Sequence, residues 1–146
     1  MEQKKIFAKQ LDIDLSSKEE TVYFKWFLAC LLFGKPIQQQ VAKQTYFEFV
    51  KEGFTTPEAI QKAGWDKLVE VLDRGHYVRY DFSTATKLLD VSRALKEKYG
   101  TLTRLLQESQ TIEELSSRLQ EFKGIGPKTV EIFLRDMEPI FLQYQT

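Results

Sequence analysis

Helix-ending glycines divide this sequence at short intervals, and they constrain the fold more than any other feature. Each follows a stretch in which apolar residues recur with helical spacing; they are Gly34, Gly53, Gly64, Gly75 and Gly100. No stretch alternates apolar and polar residues for long enough to form a strand. The pattern therefore predicts one compact all-α domain of seven or eight short helices, with a helix-hairpin-helix near the C-terminus.

Capping residues predict where several of these helices begin. Ser17 with Glu20, and Thr111 with Glu114, have the spacing of a capping box, in which each side chain accepts a free backbone N–H. Thr56 precedes a proline and an acid, as at a helix N-terminus. We expect helices to start at each of these places.

A loop rich in aromatic and polar residues, Gly75–Asp81, precedes a helix expected from Ser83 to Tyr99. Asp81 is expected to cap that helix or to pair with Arg79, and capping is favoured over a role in acid–base chemistry. The last helix is expected to start near Lys128 and to be interrupted near Pro139.

Composition excludes several classes of protein. The 146 residues include 21 Lys and Arg and 21 Asp and Glu, so the formal net charge is zero and nucleic acid cannot be bound by bulk charge alone. One cysteine, Cys30, and one histidine, His76, exclude a disulfide, a cysteine-ligated cluster and a histidine-pair zinc site. We expect no cofactor, no metal, no membrane segment and a cytoplasmic location, or a nucleoid-associated one if DNA is bound. Residues 1–16 are assigned to an N-terminal extension and residues 17–146 to the domain.

Two glycines flank one apolar residue in the sequence Phe122-Lys-Gly-Ile-Gly-Pro-Lys-Thr-Val130. One helix precedes this segment and another follows it, so the side chain of Ile125 can fill the space between the two helices. The N–H groups at the start of the second helix then face outward, and such a cluster of N–H groups binds phosphate well. The dinucleotide fingerprint is excluded because Thr129 occupies the place of its third glycine. The Walker sequence is absent. The alternative is a plain turn without a ligand.

These residues resemble the helix-hairpin-helix of the HhH-GPD superfamily of base-excision DNA glycosylases, related to endonuclease III. The hairpin is assigned to residues 113–137. We expect a small form, without the iron–sulfur cluster or second lobe of other members. The resemblance implies that duplex DNA is the partner and that the phosphate contacts come from Lys123, Gly124, Ile125, Gly126, Lys128 and Thr129.

The same resemblance assigns chemistry to Lys128. In bifunctional members, the lysine at this position attacks C1′ of the damaged nucleotide and forms a Schiff base. The family also uses an aspartate at the position that corresponds to Thr146 here, and this sequence has no such aspartate. Glu131 and Asp136 lie on the same helix as Lys128, but Asp136 is two turns along and points partly away. The alternative for Lys128 is a solvated or phosphate-contacting lysine.

Further residues are candidates for contact with a base or with the DNA backbone. Gln38 and Gln39 stand at a helix start, where the family inserts a polar side chain into the space left by a flipped base. Tyr77 and Arg79, in the aromatic loop with His76 and Tyr80, could stack on a base. The alternatives are an exposed polar face for the glutamines and anchoring to the core for the loop aromatics.

Three functions remain open from the sequence. The first is a DNA glycosylase or abasic-site lyase, the second is a non-catalytic DNA-binding module on the same fold, and the third is a protein-interaction domain with a purely structural hairpin. For the first two, the zero net charge predicts a modest affinity that depends on salt through few phosphate contacts.

Overall fold

The computed structural model describes residues 5–145, and every regular element in that range is helical, which confirms the all-α class. The helices are α1 (Glu20–Phe33), α2 (Gln39–Glu52), α3 (Pro57–Arg74), α4 (Asp81–Lys98), α5 (Leu102–Glu108), α6 (Ile112–Gln120) and α7 (Pro127–Gln143). Three short 3-10 turns accompany them, at Ala8–Leu11, Leu15–Ser17 and Val78–Tyr80.

Helix α1 lies at the centre of the core. Every residue from Trp26 to Phe33 is buried, and a helix that is apolar all round must be surrounded by others. Helices α2, α5 and α7 pack around α1. The indole N–H of Trp26 donates to the carbonyl of Phe133 at 3.1 Å, and this bond joins α1 to α7. No helix among residues 5–145 is long and apolar enough to cross a bilayer.

Helices α3 and α4 pack side by side along much of their length. The two helices predicted on either side of Gly64 are the two halves of α3, which bends where that glycine takes φ of 82°. Helix α4 begins at Asp81, two residues before the predicted start, and Tyr80 holds the N-cap position. Asp81 is therefore inside the helix, where its carboxylate accepts the N–H of Phe82 at 2.7 Å.

The predicted threonine caps at Thr56 and Thr111 are confirmed, and the predicted capping box of Ser17 with Glu20 is wrong. Thr56, Thr101 and Thr111 each accept the N–H three residues further on, at 3.0–3.1 Å. Ser17 instead ends a 3-10 turn. The carboxylate of Glu20 accepts two N–H groups at the start of α5, at 2.7 and 2.8 Å. A carboxylate at a helix N-terminus is stabilised by charge-assisted bonds and by the helix dipole, so Glu20 caps α5 rather than its own helix.

Helix α7 is continuous through Pro139, so the predicted interruption is wrong. Met137, Ile140 and Phe141 are buried on both sides of the proline, and their packing holds the helix where one backbone bond is lost. The described part of the N-terminal segment, from residue 5, packs on this helix. Asp136 accepts the N–H of Ala8 at 2.8 Å, and Ile6, Ala8, Leu11 and Ile13 are buried in the same core as α1.

Candidate functional site

The connection between α6 and α7 is a tight turn built on Gly124. Its φ of +92° lies in the left-handed region, which glycine adopts without the strain of a side chain. Ile125 is buried, and its N–H donates to the carbonyl of Phe122 at 3.1 Å. Ile125 is thus buried between the helices, as the sequence predicts, and the predicted phosphate contact cannot use its N–H, which is already bonded within the turn.

The outer side of this turn is exposed and carries two lysines. Lys123 and Lys128 are exposed on either side of the turn, and within residues 5–145 neither forms an ion pair. Gly126 is the N-cap residue of α7, and no side chain caps this helix N-terminus. A Cβ atom added to Gly126 would have no other atom within 4 Å, so the space beside this residue is open. Another backbone can therefore approach Gly126 closely at the start of α7.

Thr129 is placed differently from the prediction. Its side chain is 5% exposed, and it lies against the last turn of α1: a Cβ on Gly34 would stand 2.3 Å from the Thr129 hydroxyl oxygen. Only glycine allows this close approach of α1 to α7. The side chain of Thr129 therefore cannot contact DNA, and a phosphate contact at this residue is limited to its N–H.

A cleft of about 640 Å³ opens beside the start of α7. One face of α7 forms a wall, with Lys128, Glu131, Ile132 and Arg135 one helical turn apart. The α1–α2 turn, residues 35–39, forms the opposite wall. The fold thus brings the predicted residues Gln38, Gln39 and Lys128 to one cleft, although they are far apart in the sequence.

Positive charge is in excess along this cleft. Lys5, Lys35, Lys128 and Arg135 line it, against the single carboxylate of Glu131. Glu131 lies 3.4 Å from Arg135 and pairs with it, which leaves three lysines without a carboxylate among the described residues. A chain of zero net charge thus has a locally basic surface next to the α7 N-terminus.

The aromatic loop contributes less than predicted. Tyr77 is completely buried, and its hydroxyl donates to the carbonyl of Leu32 at the end of α1. Contact of Tyr77 with a base is therefore excluded, because its ring and hydroxyl are held in the core. Arg79 is exposed and lies over the ring of Tyr80, with 5.5 Å from its guanidinium carbon to the ring centroid.

The Tyr80 ring connects this loop to the cleft. The ammonium of Lys35 lies 5.2 Å from the ring centroid, a cation–π distance. Lys35, which lines the cleft, and Arg79 thus converge on one aromatic ring. Arg79 remains available for a backbone contact at the edge of the basic surface.

Sequence reasoning missed Lys87, a lysine that is only 8% exposed. A Cβ on Gly124 would stand 2.8 Å from Cδ of Lys87, so the turn lies directly on its aliphatic stem. Burial, and secondarily the charge of Lys35, lowers its pKa from 10.5 to about 8. The available signal is its position on α4: it lies between Thr84 and Val91, on the side that carries the buried residues.

The two candidate carboxylates on the same helix as Lys128 differ in their position relative to the cleft. Asp136 accepts the N–H of Ala8 and does not line the cleft. Glu131, one turn after Lys128, does line it. Thr146, which the sequence resemblance aligned with the aspartate of the DNA glycosylases, lies outside the described residues.

No protein-family model, curated protein or solved structure matches this chain. The function must therefore be inferred from the residues and their geometry.

Proposed function

We propose that this protein binds duplex DNA through the α6–α7 turn and the adjoining cleft, in the manner of the helix-hairpin-helix DNA glycosylases that its sequence resembles, with Lys128 as the candidate nucleophile. One observation carries the proposal. Gln38, Gln39 and Lys128 line one cleft, where Lys128 lies just past the exposed turn in the sequence, and the lining of this cleft is basic in a chain without net charge.

Phosphate binding is supported by the start of α7. Uncapped N–H groups at a helix N-terminus attract anions through hydrogen bonds and the helix dipole. Lys123 and Lys128 add positive charge on both sides of these groups, and the open space at Gly126 lets a DNA backbone approach closely. The turn would hold the phosphates, and these contacts position the duplex without reading its sequence.

The cleft is suited to a nucleotide taken out of the duplex. Its volume of about 640 Å³ lies within the roughly 300–1,000 Å³ typical of ligand pockets. The exposed amide side chain of Gln38 at its wall has donors and acceptors suited to the edge of a base. The lesion that would enter is not defined by these groups, because an amide can pair with any base.

Lys128 supplies the amine for a covalent step. Its amine nitrogen would attack the C1′ aldehyde carbon of a ring-opened abasic sugar, and loss of one water would give a Schiff base. The attack needs the unprotonated amine, so a nearby base must accept a proton. Glu131 is the carboxylate that lines the cleft with Lys128, and we assign this role to it in place of the family's aspartate.

Non-catalytic DNA binding is the second candidate function. It is favoured by the pairing of Glu131 with Arg135 at 3.4 Å and by the absence, within residues 5–145, of any carboxylate paired with Lys128. On this alternative, the cleft would bind the duplex, and Lys128 would contact a phosphate.

Borohydride trapping separates the two. The protein is incubated with borohydride and a duplex that carries one abasic site, beside Lys128→Ala and the matched variant Lys62→Ala; Lys62 is an exposed helical lysine outside the cleft lining. Reduction of the Schiff base gives a stable amine link, so an adduct lost only in Lys128→Ala supports the covalent chemistry.

Three other outcomes decide against parts of the proposal. An adduct that persists in Lys128→Ala contradicts the assignment of the nucleophile. If no adduct forms but the protein still shifts the duplex on a native gel, the protein binds DNA and does not form a Schiff base. Absence of both overturns the proposed function and favours a protein-interaction domain.

A further inference from the structure

The N-terminal segment, residues 5–13, is held against α7 by two neighbouring residues of that helix. Asp136 accepts the N–H of Ala8 at 2.8 Å, and the guanidinium of Arg135 donates to the carbonyl of Ile6 at 3.3 Å. The apolar side chains of the segment are all buried and add their packing to these two bonds; they are Ile6, Ala8, Leu11 and Ile13. The course of the segment along α7 is therefore fixed.

This docking brings Lys5 to the cleft. Arg135 bonds the carbonyl of the residue that directly follows Lys5, and Lys5, Ile6 and Arg135 all line the cleft. Lys5 is exposed, and within residues 5–145 it forms no ion pair. The segment thus supplies a third wall of the cleft, besides α7 and the α1–α2 turn, and this wall carries a cation.

The positive charge at this end of the cleft is only partly compensated. The side chain of Arg135 is 13% exposed and pairs with Glu131 at 3.4 Å. Its buried Nε has no hydrogen-bond partner among the residues that the structure describes, although buried polar groups are normally satisfied. One carboxylate thus faces two cations, Lys5 and Arg135, and the excess positive charge attracts an anion.

An anion bound here is separate from one bound at Lys128. Arg135 follows Lys128 by two helical turns, which corresponds to about 10 Å along α7. Each strand of duplex DNA carries one phosphate per roughly 3.4 Å of helix axis. The two ends of the cleft therefore reach different phosphates of a bound strand.

We propose that the N-terminal segment is part of the DNA interface, and that Lys5, held beside Arg135, binds a second backbone phosphate at the end of the cleft away from Lys128. This inference rests on the proposed function, because the phosphate belongs to the bound duplex. Arg135 is already paired with Glu131, so Lys5 supplies the charge that neutralises this phosphate.

The same proposal gives Asp136 a role. Its carboxylate does not line the cleft and is bonded to the segment instead. Asp136 is therefore a positioning residue, which acts on DNA binding through the placement of Lys5 and does not touch the DNA.

The test measures how duplex affinity depends on salt for wild type and Lys5→Met, with Lys9→Met as the matched control. Lys9 is an exposed lysine of the same segment that does not line the cleft. The plot of log affinity against log salt has a slope of about −0.9 for each phosphate neutralised. Lys5→Met should make that slope shallower by about 0.9, and Lys9→Met should leave it unchanged.

The role of Asp136 is tested by Asp136→Ala alone and combined with Lys5→Met. Loss of the bond to Ala8 should release the segment, so Asp136→Ala should lose the same slope as Lys5→Met. The double variant should lose no more than either single variant, because both act on one contact. Faster hydrogen exchange at the Ala8 N–H checks the release, and circular dichroism checks the fold. Lys5→Met keeps the test decisive if Asp136→Ala fails to fold, because Lys5 is exposed.

The failures of the two proposals are distinguishable. If the wild type binds duplex and Lys5→Met keeps its slope, or if Lys9→Met loses as much slope as Lys5→Met, the second phosphate site is refuted while the proposed function stands. If the effects of Lys5→Met and Asp136→Ala add in the double variant, the positioning role of Asp136 is refuted. If the wild type binds no duplex, both proposals are refuted.

Discussion

Replacing Lys87 by methionine should make this protein more stable, whereas most core substitutions destabilise a protein. Methionine has an unbranched stem of similar length, so it keeps the contact with the backbone of Gly124. It removes the ammonium that has no partner among the described residues.

The size of the effect follows from the pKa of Lys87. Burial lowers it from 10.5 to about 8, and each pKa unit corresponds to about 1.36 kcal/mol, so the charged form is disfavoured by about 3 kcal/mol in the folded state. The folded pKa lies below the unfolded one, so between pH 8 and 10.5 the unfolded chain binds more protons and stability rises with pH. The advantage of the variant should thus be largest below pH 8 and decline until pH 10.5.

The assay is urea unfolding of wild type and Lys87→Met at several pH values from 7 to 10.5, with Lys62→Met as the control. Other titrating groups are common to the proteins, so they cancel in the difference between the two free energies of unfolding. We expect that difference to fall by about 1.4 kcal/mol per pH unit between pH 8 and 10. A difference that stays constant with pH would refute the lowered pKa of Lys87 in the folded protein, even if the variant is more stable.

Three further substitutions test the placement of other residues, each by urea unfolding. Tyr77→Phe should cost about 1 kcal/mol through loss of its buried hydrogen bond and leave DNA affinity unchanged; a loss of affinity at unchanged stability would show that the ring is accessible. Glu20→Gln should cost about 1–2 kcal/mol, because the charge that caps α5 is removed; no effect would mean that the cap is solvated. Gly124→Ala should cost about 1–3 kcal/mol, since φ is +92° and the new methyl meets the stem of Lys87; wild-type stability would contradict the tight turn.

The predicted threonine caps are confirmed because each depends on a donor close by in the sequence. Thr56 and Thr111 accept the backbone N–H three residues further on. Glu20 was wrongly paired because its true partners begin at Leu102, which is adjacent only in the folded chain. Pro139 was expected to break a helix that tertiary packing preserves.

The candidate site was predictable in part for the same reason. The turn at Gly124 and the exposed lysines beside it follow from local sequence. The opposite wall of the cleft required the close approach of Gly34 to Thr129, which only the packing of α1 on α7 reveals. Lys87 was missed because a lysine is normally on a helix surface, although its spacing places it on the side of α4 that carries the buried residues.

The most direct test of DNA binding by the turn and the cleft is the affinity for a duplex with one abasic site, measured by fluorescence anisotropy at several salt concentrations. Wild type is compared with the double variant Lys123→Ala and Lys128→Ala, and with Lys62→Ala. We predict an affinity that falls with salt and a slope that the double variant reduces by about 1.8, for two phosphate contacts. An affinity indifferent to salt, or a double variant that binds like wild type, would contradict the proposed interface.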